Sequence, residues 1–246
     1  LLCMENKNLM QIPRYIHYCW FGNASLPIEY KKYIEGWEKF FPEYKIICWS
    51  EKNFPLQEFS YAKEAARAGK WAFVSDVARI YALKKYGGIY FDTDVEVKKS
   101  FNDILENQSA ILGTEDVSQN SIGTGFMAFI PEHPICCQML KYYNNNYFIN
   151  KDGTLNMVPN THIMANILYK LYGVRPSNNI QKLDECIVYP QEFFTAYDGK
   201  LGKNMITENT YCVHHFKGSW ASNKDKIKNS LRKIKNRIIY RCKEFI

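Results

Sequence analysis

Short apolar runs alternate with helix-like patterns along the first half of the 246-residue chain. The run RYIHYCWFG at 14–22 is apolar and aromatic and stops at Gly22, which predicts a first strand. In PIEYKKYIEGWEKFFPEY the apolar positions Ile28, Tyr33, Ile34 and Trp37 recur at helical spacing and end near Pro42. KIICWS at 45–50 predicts a second, buried strand, and YAKEAARAG at 61–69 a helix closed by Gly69. FVSDVARIYALKKYGG follows. There Ser75 is placed to cap a helix with Asp76 in its first turn, and Gly87-Gly88 ends it. The strand IYFDTDVEV comes next. Strands and helices in this order predict an α/β sheet.

Beyond residue 100 the pattern loosens. AILGTE and GFMAFIP read as strands, PICCQMLKYY and HIMANILYKLYG as helices, and YCVHHFKGSW at 211–220 as a late strand running into a loop. The organisation predicted is one domain over 12–222 followed by a tail, 223–246. In that tail Ile227, Leu231, Ile234, Ile238 and Cys242 recur at steps of three and four among Lys and Arg, the pattern of a basic amphipathic helix. Such a helix either packs on the body or attaches peripherally to an anionic membrane face, at ~1 kcal/mol per basic residue.

Charge changes the picture only once it is located. Nine basic residues in 224–246 oppose Asp225 and Glu244, which accounts for the whole net charge of +7. The body is neutral, so a nucleic-acid partner is not indicated. Eight cysteines are scattered without a C-x-x-C pair, and Cys136 and Cys137 are adjacent. They read as reduced, mostly buried thiols, predicting a cytoplasmic protein. No run approaches the ~18 apolar residues that a membrane span needs. The opening LLCMENKNLMQ has no charged segment followed by an apolar one, so it is not expected to be a secretory signal and reads as a trimmed start.

The candidate chemistry sits in KKYGGIYFDTDV, residues 84–95. Side chains alternate along a strand, so Asp92, Asp94 and Tyr90 share a face, and two neighbouring carboxylates repel unless a positive charge joins them. The helix from Asp76 to Tyr86 is roughly 16 Å long and the returning strand covers about the same distance. The start of the helix, with Asp76 and Arg79 on one face, should therefore lie beside the two carboxylates. Ligands of open α/β sheets bind at this end of the strands. A divalent ion, Mg²⁺ or Mn²⁺, is the simplest positive partner, because it can bridge carboxylates to a diphosphate and stabilise that diphosphate as a leaving group. Glu115 and Asp116 in LGTEDV follow another strand end; they read at least as well as solvated loop residues as they do as carboxylate nucleophiles.

The segment WAFVSDVARIYALKKYGGIYFDTDVEV resembles the D-x-D signature of glycosyltransferase family 32, and IPRYIHYCWFG and VHHFKGSW agree with it in the expected order. That family includes sugar transferases of bacterial capsule and lipopolysaccharide synthesis and yeast initiating mannosyltransferases, and it is related to the large clostridial glucosylating toxins. The resemblance implies a GT-A fold, a UDP-sugar donor, Mn²⁺ or Mg²⁺, and a retaining hexosyl transfer to a saccharide or lipid-linked saccharide acceptor of a bacterial surface polysaccharide. Matched by position, Trp20 would stack near the uracil, Asn53 would touch base or ribose, and Asp76 and Arg79 would hold donor sugar hydroxyls. Tyr90 would lie against the nucleotide, Asp92 near ribose and metal, and Asp94 on the metal. His215 is favoured over His214 as the last metal ligand, because related sequences read V-x-H-F. Gly218, Ser219 and Trp220 would close over the diphosphate, and Lys217 or backbone N–H groups would join the metal in stabilising the departing UDP. No protein nucleophile is implied. Two alternatives remain: a haloacid-dehalogenase-like phosphatase, against which Glu96 at the fifth motif position counts, and a non-catalytic carbohydrate-binding module.

Overall fold

The computed structural model describes residues 11–199 and 202–218. The Ser219 and Trp220 positions and the basic tail at 223–246 lie outside the described residues.

Seven strands form one mixed sheet. Strands β1 (Tyr15–Cys19), β2 (Lys45–Trp49) and β3 (Gly88–Phe91) are parallel, with helix α1 (Ile28–Phe40) joining the first two. Helices α2 (Ser60–Arg67) and α3 (Trp71–Tyr86) lead from β2 to β3. After β3 come β4 (Val95–Val97), the short helix α4 (Asn102–Leu105), β5 (Ala110–Asp116) and β6 (Ser121–Phe129). Helices α5 (Pro134–Asn144) and α6 (Asn160–Tyr172) precede β7 (Gln181–Lys182), β8 (Ile187–Tyr189) and α7 (Gln191–Phe194). A small hairpin, β9 (Tyr197–Asp198) and β10 (Lys203–Asn204), precedes β11 (Cys212–His214). The sheet order is β2-β1-β3-β6-β5-β8-β7, with β6 antiparallel to both neighbours, while β11 pairs with β4 outside it.

Apolar side chains cover both faces, so this is a three-layer α/β domain. One core packs Val74, Val77, Ile80 and Leu83 of α3 and the inner faces of α2, α5 and α6 onto Tyr90, Leu112, Met127 and Phe129. The other packs Trp37 and Phe41 onto Ile16, Ile89, Phe91, Phe101, Phe126 and Phe194. Each such side chain contributes about 1.5–3 kcal/mol. The six described cysteines are free thiols. No helix among the described residues is long and apolar enough to cross a membrane.

Two local features set the site. Gly87 and Gly88 adopt φ of 62° and 98°, and a Cβ on Gly88 would stand 2.6 Å from the Tyr15 carbonyl oxygen. The reversal after α3 therefore needs glycine twice, once to turn and once to let β3 lie against β1. Under this turn the buried His17 holds Gly87 O through Nε2 at 2.9 Å and accepts from Trp49 Nε1 at Nδ1. Both ring nitrogens are committed to the neutral form, and burial lowers the His17 pKa to about 4 against the Gly87 contact.

Helix α3 begins one turn earlier than the sequence reading placed it. Ser75 is not a cap: its hydroxyl donates to Trp71 O inside the helix, at 3.1 Å. Trp71, Ala72, Phe73 and Val74 all tolerate helix, and nothing breaks the chain until the Gly69 turn. Asp76 and Arg79 consequently lie in the second and third turns.

Candidate active site

The chain does not stay extended through its paired carboxylates. β3 ends at Phe91, residues 92–94 form a turn closed by Val95 N donating to Asp92 O at 3.0 Å, and β4 starts at Val95. The two aspartates converge through this turn rather than through strand pleat, which corrects the reading of one continuous strand. Tyr90 still reaches Asp92, donating its hydroxyl to Oδ1 at 2.9 Å.

The late strand completes the cluster. β11 runs antiparallel to β4 with His214 opposite Val95. This puts His214 Nε2 3.2 Å from Asp94 Oδ1 and 3.7 Å from Asp92 Oδ2. His215, favoured as the ligand from the sequence, points away: it stacks on Tyr33 at 5.2 Å and its Nε2 meets Glu96 Oε2 at 2.9 Å. Strand alternation allows only one of the pair to face the carboxylates, and the pairing of β11 with β4 makes it His214.

Asp94 is buried and accepts from the Lys217 amide at 2.7 Å. Burial by itself raises its carboxyl, but His214 and the Lys217 amide outweigh burial and hold the Asp94 pKa below the usual range. His214 moves the opposite way. Burial disfavours its charge, yet Asp94, Asp92 and Glu115 raise its pKa. Oxygens of Asp92 and Asp94 and a ring nitrogen of His214 all lie within 4.8 Å of one another. Two carboxylates and an imidazole form a donor set that suits a divalent ion such as Mn²⁺.

Arg79 ties this cluster to α3. Its guanidinium is buried, with Nη1 3.2 Å from Asp92 Oδ1 and Nη2 3.2 Å from Asp76 Oδ1, and it lies over the Tyr90 ring at 4.7 Å. It also donates to Thr124 O at 2.9 Å. Asp76 accepts from Asn160 Nδ2 at 2.6 Å, and Asn160 in turn accepts from the Thr124 hydroxyl at 2.9 Å. Burial lifts the Asp76 pKa to about 6 although Arg79 opposes it. Burial also lifts Glu115, to about 7.

The remaining sequence candidates are placed unevenly. Trp20 is half-buried, donates through Nε1 to Ala24 O at 2.6 Å and meets Tyr30 edge-on at 5.9 Å. The exposed Asn53 spends both ends of its amide locally, donating to Cys48 O and accepting from Ser50 N. Lys217 contributes its backbone to Asp94, while its Nζ lies 3.0 Å from Glu29 Oε1. Gly218 takes φ of 57°, in the left-handed region. Asn160, Thr124 and Gly125 were not singled out from the sequence. Asn160 carried one weak signal, a polar residue behind Pro159 at the start of an otherwise apolar helix. Gly125 carried none: only the fold shows that a Cβ there would stand 2.6 Å from His214 Cε1.

Residues 27–111 match the family model described as a glycosyltransferase sugar-binding region containing a DXD motif, a span that holds Asp76, Arg79, Asp92 and Asp94. The chain is 26% identical over 220 residues to an uncharacterized glycosyltransferase, L373, of Acanthamoeba polyphaga mimivirus, covering 85% of this chain and 84% of that protein. It is 26% identical over 149 residues to inositol phosphoceramide mannosyltransferase 1 of Schizosaccharomyces pombe, covering 56% of this chain and 46% of that one. It thus spans most of the viral relative and about half of the fission-yeast one. Among solved structures, PaToxG glycosyltransferase superposes with a TM-score of 0.57 at 18% identity, over 66% of this chain and 71% of the other. The GT-A fold and the resemblance read from the sequence are both borne out.

Proposed function

We propose that this chain, a glycosyltransferase of the DXD type, moves a hexose from a UDP-sugar to a saccharide or lipid-linked saccharide acceptor, with retention of anomeric configuration. Its place is the synthesis of a bacterial surface polysaccharide. The observation that carries the reading is the convergence of Asp92, Asp94 and His214 beside the buried Asp76–Arg79 pair. Nothing in a phosphatase or a passive sugar-binding module calls for that combination.

Asp92, Asp94 and His214 would hold Mn²⁺ or Mg²⁺, whose positive charge at this place neutralises a departing diphosphate. The protein's own groups do the rest. Arg79 cannot deprotonate, so it keeps a permanent charge between Asp76 and Asp92 and fixes both carboxylates. Asp76, steadied by Asn160, offers an oxygen to donor hydroxyls. Trp20 supplies a flat apolar surface for the base. The Lys217 amide holds Asp94, so the loop after β11 is fastened to the same carboxylate. In the transfer, the bond between C1 of the hexose and the diphosphate oxygen breaks, and a bond from C1 to the acceptor oxygen forms on the same face. The acceptor's proton passes to the departing diphosphate.

The test is release of UDP from UDP-glucose, UDP-galactose and UDP-N-acetylglucosamine, each with Mn²⁺ and with EDTA. Slow, metal-dependent release that Asp94→Asn abolishes supports the reading. Release that ignores both EDTA and Asp94→Asn contradicts it.

A further inference from the structure

Asp92 and Glu115 stand at the ends of two strands that flank a third. β3 and β5 lie on either side of β6, which places their ends roughly 10 Å apart. On β6 between them, Gly123 and Gly125 are two residues apart. A Cβ on Gly125 would meet His214 Cε1 at 2.6 Å and Asp92 Oδ2 at 3.1 Å, while one on Gly123 would meet Gly113 O at 3.3 Å and, farther off, Glu115 Cβ at 3.8 Å. The two glycines therefore lie between the His214–Asp92 cluster on one side and Glu115 on the other.

Glu115 is aimed by an irregularity. The β5–β6 register shifts between Thr114 and Asp116, which leaves Glu115 as the unmatched residue of a bulge. Bulges release one residue from the ladder and redirect its side chain, and they recur beside active sites. The Glu115 carboxylate shares no hydrogen bond or ion pair with any described residue, although it lies within electrostatic range of His214, Asp92 and Arg79. It stands outside the cluster of mutually close metal-ligand atoms, which comprises Asp92, Asp94 and His214. A half-buried carboxylate without a partner is costly unless a ligand supplies hydrogen-bond donors. Sugar hydroxyls would satisfy it, since each can both donate to a carboxyl group and accept from one, whereas a diphosphate brings acceptors alone.

We propose that Glu115 binds hydroxyls of the transferred hexose, across β6 from the Asp92–His214 cluster, and so helps decide which hexose is carried. The inference rests on the proposed function and extends it to donor choice. A substrate hydroxyl donating to a charged acceptor accounts for roughly a tenfold preference or more.

The experiment compares binding of UDP, UDP-glucose, UDP-galactose and UDP-N-acetylglucosamine in the presence of Mn²⁺, for the wild-type chain, Glu115→Gln and Glu115→Ala. UDP binding should stay within twofold in all three chains. The affinity of the preferred UDP-hexose relative to UDP should fall about tenfold in both variants. Equal relative affinities in wild type and variants for all three donors overturn the inference, and so does loss of UDP binding itself, which would make Glu115 part of the nucleotide or metal site. A wild-type chain that binds neither UDP nor any donor overturns the proposed function instead.

Discussion

Asn160 Nδ2 donates to Asp76 Oδ1 at 2.6 Å, joining the first residue of α6 to a residue 84 positions earlier on α3. Both side chains are buried. Asp76 therefore has its position set by an amide as well as by Arg79, and the amide is itself fixed by Thr124. Asn160→Ala leaves a buried carboxylate oxygen and the Thr124 hydroxyl without that partner, at a cost of about 1–3 kcal/mol. Urea denaturation should report a loss of that size, and turnover should fall at least tenfold. A variant with wild-type turnover would remove Asn160 from the positioning of Asp76.

The two adjacent histidines should separate cleanly. His214→Ala removes a ring nitrogen next to both aspartates and should lower Mn²⁺-dependent UDP affinity more than tenfold. His215→Ala removes a contact to Glu96 and a stack on Tyr33, so metal-dependent binding should persist within about threefold and stability should fall by ~1 kcal/mol. Titration calorimetry on both variants checks this. The reverse ranking would restore the assignment suggested by the V-x-H-F pattern.

A methyl group at position 125 tests the same geometry without removing a polar atom. In Gly125→Ala the new Cβ meets the His214 ring at 2.6 Å and Asp92 Oδ2 at 3.1 Å, so the ring must move. Metal-dependent UDP binding should drop at least tenfold while cooperative unfolding is retained. Unchanged binding would show that the cluster tolerates displacement of His214 and is not a metal site.

Acid sensitivity should trace to His17. Its pKa is about 4 in the folded protein against 6.5 in an unfolded chain, because burial opposes the charge more than the hydrogen bond to Gly87 O favours it. A proton bound preferentially by the unfolded chain makes stability fall with pH. The contribution is fully present above about pH 6.5 and is lost progressively down to about pH 4, to a total on the order of 3 kcal/mol. His17→Gln should flatten this portion of the stability–pH profile measured by chemical denaturation. A profile equally steep in the variant would assign the acid response to other groups.

Much of this was legible because it is local. The Gly87-Gly88 reversal, with the nearly equal lengths of the Asp76–Tyr86 part of α3 and the returning stretch to Asp92, places Asp76 and Arg79 beside Asp92 and Asp94, and this juxtaposition is what the structure shows. Two local readings failed. Helix α3 passes through Ser75, because nothing between Trp71 and Ser75 breaks a helix. The strand bends at Asp92–Asp94, because pairing with β11 draws β4 away from the main sheet. What was not legible depends on contacts distant in sequence. The choice of His214 follows from the β4–β11 register, Asn160 reaches Asp76 only after α6 has packed, and Gly125 matters because of what stands above it.

The central claim is that the paired aspartates hold a metal that binds the diphosphate of a nucleotide. Titration of UDP into the wild-type chain, with Mn²⁺ and then with EDTA, beside Asp94→Asn, tests it most directly. Binding that requires Mn²⁺ and disappears in Asp94→Asn is the result expected. UDP binding indifferent to the metal and to Asp94, or no binding under any condition, would contradict it.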